Sequence, residues 1–99
     1  TIGIEPVGNI IPQKYSLEQN YPNPFNPETV IRFSIPEQNF TRLVVYDILG
    51  KEIAVLVNEV LSAGNYNINF EAAELPSGIY FYRLNTDKFS ESRKMILLK

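Results

Sequence analysis

No stretch of this chain keeps apolar residues at i, i+3, i+4 and i+7 beyond one or two turns, whereas alternation of apolar and polar residues recurs between turn signals. That pattern argues against helices and for an all-β fold. Its clearest run is Asn65-Tyr66-Asn67-Ile68-Asn69-Phe70-Glu71, where Tyr66, Ile68 and Phe70 form a dry face and the intervening side chains a wet one.

Six further strands are predicted around this run. Tyr15 and Leu17 open the series, and the following stretch, 20–27, contains Pro22, Pro24 and Pro27 and so cannot be a central strand. Residues 29–35 put Ile31, Phe33 and Ile35 on one face. Residues 40–47 set Leu43 and Val45 against Val44 and Tyr46 on the other side. A turn at Gly50, where glycine supplies a positive φ, leads to 52–57, with Ile53, Val55 and Val57 inward. Ser62-Ala63-Gly64 makes the next turn. Residues 79–84 are apolar on both faces except at Arg83, as befits a central strand, and 89–98 close the series. Seven strands at spacings of about 8 to 12 residues in a 99-residue chain predict one antiparallel immunoglobulin-like (Greek-key) β-sandwich over residues 14–99. Residues 1–13, with Gly3, Pro6, Gly8 and Pro12 among isolated apolar residues, read as a linker from an upstream domain.

The segment Ser77-Gly78-Ile79-Tyr80-Phe81-Tyr82 sharpens the expectation. It resembles the start of strand F in immunoglobulin domains, with Tyr80 as the tyrosine corner and Tyr82 in the position of the second core cysteine. Tyr80, Tyr82 and Leu84 then face the core and Arg83 faces solvent.

Composition narrows the chemistry. The chain has no histidine, cysteine or tryptophan, which removes imidazole bases, thiolate nucleophiles, disulfides and His/Cys metal sites. A formal charge of −2 gives no overall basic field for nucleic acid. No apolar run reaches the roughly 20 residues of a membrane-spanning helix, and the N-terminal stretch lacks the order of a signal peptide. The remaining acid–base candidates are Glu71 with Glu74, read as solvated carboxylates at a strand end. Asp47 and Glu52 flank a turn, without the dense carboxylate spacing of an EF-hand. Tyr21, Phe25 and Tyr46 are the candidates for a sugar-stacking platform, against a simpler reading in which Phe25 covers one end of the sandwich. No cofactor is called for.

The run Tyr21-Pro22-Asn23-Pro24-Phe25-Asn26-Pro27-Glu28-Thr29, followed by Ile31-Arg32-Phe33-Ser34-Ile35-Pro36, resembles the type IX secretion system (Por system) C-terminal sorting domain, type A. Later blocks match in order: Val45-Tyr46-Asp47-Ile48-Leu49-Gly50-Lys51-Glu52, Ala63-Gly64-Asn65-Tyr66, Leu75-Pro76-Ser77-Gly78-Ile79-Tyr80-Phe81-Tyr82-Arg83-Leu84 and Lys94-Met95-Ile96-Leu97-Leu98-Lys99. The immunoglobulin-like domain of flagellar hook-capping proteins is a relative sharing the Pro-Asn-Pro-Phe-Asn-Pro opening. One departure is Asn85-Thr86-Asp87-Lys88, where the family usually has a glycine; a left-handed Asp is expected to preserve that hairpin.

The resemblance implies a non-catalytic signal on a secreted protein of Bacteroidetes-type bacteria. The cargo lies upstream in the same polypeptide and travels through the periplasm to the outer-membrane surface or the medium. The implied partners are the type IX translocon and a sortase, with Gly78, Tyr80, Lys94 and Lys99 as recognition residues, Gly50 and Gly64 as turn glycines, and sortase access in residues 1–13. A free sheet edge leaves weak self-association open. The alternative from another class is a carbohydrate-binding or structural spacer module of a secreted glycosidase.

Overall fold

Among the described residues, alternation yields eight strands in two antiparallel sheets. The computed structural model describes residues 4–6, 8 and 10–99, without the side chains of 4–6. The strands are β1 (Ile4–Pro6), β2 (Ser16–Leu17), β3 (Glu28–Ile35), β4 (Asn39–Tyr46), β5 (Glu52–Leu61), β6 (Gly64–Glu71), β7 (Gly78–Asn85) and β8 (Ser90–Leu97). The first sheet has the order β1-β6-β3-β2 and the second β5-β4-β7-β8. The chain crosses between sheets after β3, β5 and β6, so one apolar core is filled from both sides. The sequence-predicted strands correspond to β2 through β8.

The inward positions of β3 and β6 (Ile31, Phe33, Ile35, Tyr66, Ile68, Phe70) meet Leu43 and Val45 of β4, Tyr80, Tyr82 and Leu84 of β7, and Met95 and Leu97 of β8. Each such side chain contributes about 1.5 to 3 kcal/mol on leaving water. Phe33 and Tyr66 are cross-strand partners whose rings stack at 5.4 Å between centroids. The outward positions of β3 and β6 are polar at Glu28, Arg32, Ser34, Asn65, Asn67, Asn69 and Glu71, with Val30 the exception.

Two local expectations are corrected. Sequence alternation turns Val55 inward, but register shifts in the β4–β5 pair set it opposite Val44 on the outer face, where it is 42% exposed. A bulge inserts one extra residue and so reverses the facing of the side chains beyond it. It lets the adjacent Leu56 and Val57 both be buried, and β5 runs on to Leu61. The β7–β8 turn needs no left-handed Asp, since no described non-glycine residue has a positive φ; Thr86 N–H donates to Phe89 O at 2.8 Å and Lys88 N–H to Thr86 Oγ1 at 3.2 Å. Within the stretch read as linker, β1 pairs with β6 from Ile4 opposite Ile68 to Pro6 opposite Tyr66, while residues 1–3, 7 and 9 lie outside those described.

Candidate functional site

One end of the sandwich gathers most of the residues singled out by the sequence. β8 is an edge strand of the second sheet, and an edge leaves backbone groups unpaired. The proline-rich stretch lies along that edge and satisfies it. Phe25 N–H donates to Ile96 O at 2.9 Å, Leu98 N–H to Phe25 O at 3.0 Å, and Ile96 N–H to Asn23 Oδ1 at 3.0 Å. Gln19 Nε2 reaches Lys94 O at 2.7 Å. Prolines have no N–H for a regular ladder, so an asparagine side chain and the one phenylalanine backbone make the bonds. Phe25 is 2% exposed, its ring 6.2 Å from that of Phe70.

Behind this strip is a buried polar knot. Tyr82 Oη donates to Glu18 O at 2.6 Å and accepts from Asn20 N–H at 2.7 Å. Asn20 Nδ2 donates to Thr29 Oγ1 at 3.0 Å and to Pro22 O at 3.1 Å, and Thr29 Oγ1 donates to Pro22 O at 2.8 Å. Desolvation pushes the Tyr82 hydroxyl up to about 12, partly offset by the Asn20 N–H, so it stays a donor at neutral pH.

The β6–β7 connection completes this pole. Ala72 N–H donates to Pro27 O at 2.9 Å, joining the connection to the proline-rich stretch. Tyr80 Oη donates to Pro76 O at 2.6 Å, forming the expected corner, and Gly78 has φ 155°, which a side chain disfavours. Lys99 then fastens the segment after β8 to the same loop: its N–H donates to Ser77 Oγ at 3.0 Å and its ammonium to Ala73 O. Gly78, Tyr80 and Lys99 therefore share one pole. Lys94 does not; it is exposed on β8 opposite Phe81 of β7.

All of this pole except Glu18 and Lys99 lies within residues 19–98, which match the family model for the secretion system C-terminal sorting domain. The chain belongs to that family. It is a sorting signal for type IX secretion. No curated protein matches the chain.

Elsewhere in the sorting domain one member of each acid–base pair serves a turn. Glu71 Oε2 accepts from Ala73 N–H at 2.9 Å, and Glu74 is exposed. Asp47 Oδ1 accepts from Leu49 N–H and Lys51 N–H, both at 2.9 Å, around Gly50 at φ 86°, while Glu52 pairs with Arg42 at 3.5 Å. Among the described residues no three acidic side chains cluster as metal ligands. The aromatic platform is not assembled, because Phe25 is buried, Tyr21 bridges to Val30 of the first sheet and Tyr46 belongs to the second. Gly64 begins β6 without a positive φ.

Two elements escape the sequence reading. Tyr66 Oη donates to Ser62 O at 2.7 Å, a second corner with the spacing of the first. The repeated Gly-x-Tyr of Gly64-Asn65-Tyr66 and Gly78-Ile79-Tyr80 is the signal that could have found it. The roles of Gln19, Asn20 and Thr29 had no comparable signal, since a buried polar residue looks like any surface one in sequence.

Proposed function

We propose that the type IX translocon reads the folded pole as one rigid surface. Gly78 and Tyr80 shape the corner, and Lys99 holds the segment after β8 against it. The observation supporting this reading is the double attachment of Lys99 to the β6–β7 connection. In this reading Lys99 acts by position, while Lys94 offers a free charge. The domain is not a catalyst: Asp47 and Glu71, one from each carboxylate pair, are engaged in turns, and its work is to present a surface. Cargo upstream is carried through the periplasm to the cell surface or medium, and a sortase cuts within residues 1–13, ahead of the seven strands β2 to β8.

The test places residues 1–99 behind a periplasm-targeted fluorescent protein in a bacterium with a type IX system. Wild-type cargo is expected at the surface or in the medium. Lys99→Ala and Tyr80→Phe are expected to leave it periplasmic although both purified domains still unfold cooperatively. Retention of wild-type cargo would overturn the sorting reading in that host; export of both variants at the wild-type level would overturn the role of the pole.

A further inference from the structure

The outer face of the second sheet is too apolar for a surface that meets only water. Antiparallel sheets with one wet face alternate apolar inward and polar outward, as the first sheet does. In the second sheet the register sets Val55 opposite Val44 and Tyr46 opposite Phe81 on the outward side, with Ile79 opposite Ile96 beyond them. Val55 is 42% and Ile79 37% exposed, and Tyr46, Phe81 and Ile96 are half-buried. A shallow groove of about 420 Å³ runs between Tyr46, Phe81, Arg83 and Ser92. A contiguous apolar strip of this kind marks an interaction surface.

Charge selects the partner. Arg83 lies opposite Val44 and Lys94 opposite Phe81, so two cations flank the strip, against one carboxylate, Asp47, which lines the groove and accepts from the Leu49 and Lys51 N–H groups; among the described residues neither cation forms an ion pair. The protein as a whole carries −2, so this face runs against its own net charge. A second copy docked face to face by a two-fold axis would set this net positive face against itself. A bilayer is disfavoured too, because the middle of the strip offers lipid little apolar surface, with Val44 only 2% exposed and Tyr46, Phe81 and Ile96 half-buried.

We propose that the outward face of β4, β7 and β8 docks an acidic protein surface of the secretion machinery, with Tyr46, Phe81 and Ile96 as the apolar centre and Arg83 and Lys94 pairing with its carboxylates. This rests on the sorting reading and adds a second contact, separate from the pole. Complementary charge sets the orientation of encounter, and burial of the strip holds the complex.

The experiment uses the same fusion of residues 1–99. Arg83→Glu combined with Lys94→Glu tests the charges, Val55→Glu tests the strip at its exposed margin on β5, where a carboxylate both breaks the apolar surface and repels an acidic partner, and Arg32→Glu on the first sheet is the control. Thermal unfolding of each purified variant identifies any that fail to fold, and Val55→Glu decides alone if the double variant is one of them. The exported fraction is expected to fall roughly tenfold or more for the face variants, with Arg32→Glu near wild type. Export of the folded face variants at the wild-type level overturns the proposal. Retention of wild type and variants alike overturns the sorting reading instead. Two readouts on the purified wild-type chain identify a different occupant and would also overturn it: a dimer at micromolar concentration that the face variants abolish, or flotation with phosphatidylglycerol vesicles that they prevent.

Discussion

The Tyr82 hydroxyl is buried with two partners, and a phenylalanine there would leave Glu18 O and Asn20 N–H without it. Tyr82→Phe is expected to lower stability by about 1 to 3 kcal/mol, read as a fall in the unfolding midpoint. The same hydroxyl sets an alkaline limit. Its folded value, about 12, lies above the ordinary value of 10.0, so the neutral form is favoured by folding; its contribution is complete below pH 10 and is lost as pH rises towards 12. Burial also raises the Tyr66 hydroxyl, which acts in the same direction. Midpoints measured from pH 9 to 12 should fall less steeply for Tyr82→Phe than for wild type. Glycines separate by backbone. Gly50 at φ 86° should lose about 1 kcal/mol on change to Ala. Gly64 has no positive φ, and a methyl there would meet the Tyr66 ring at 3.5 Å, so Gly64→Ala should stay within roughly 0.5 kcal/mol by the same melts.

At the scale of elements, the edge of β8 depends on side-chain chemistry as much as on strand pairing. Asn23→Ala removes the acceptor for Ile96 N–H, and hydrogen exchange at that amide should speed up while amides in β3 and β6 keep their protection. The seven principal strands are legible in the sequence because alternation reports which face is dry, and Tyr80 is legible because its corner is local, spanning four residues. The β5 bulges are not legible. Val55 and Val57 look alike in sequence, and only the partner strand decides which one the extra residue turns outward. Phe25 shows a related limit: its burial depends on Ile96 and Leu98, more than seventy residues away, so sequence offers only the two alternatives of platform or cover.

For the molecule as a whole, β8 is core before it is signal. Deleting residues 94–99 removes Met95 and Leu97, both fully buried, and large losses of this kind cost about 2 to 5 kcal/mol per side chain, against a total stability of about 5 to 15 kcal/mol. The truncated chain is expected to lose cooperative unfolding, as circular dichroism melts would show, so failed export by that variant would not separate a missing signal from a missing fold. The pole itself is half legible. Motif resemblance points to Gly78, Tyr80 and Lys99, but their meeting with the stretch 19–27 is a product of topology, which no local window contains. That meeting also imposes an order in time. During synthesis, Asn23 and Phe25 emerge long before Ile96 and Leu98, and Ser77 before Lys99. A nascent chain interrupted ahead of Ile96 therefore carries every letter of the proline-rich motif without the bonds that Ile96, Leu98 and Lys99 bring to the pole.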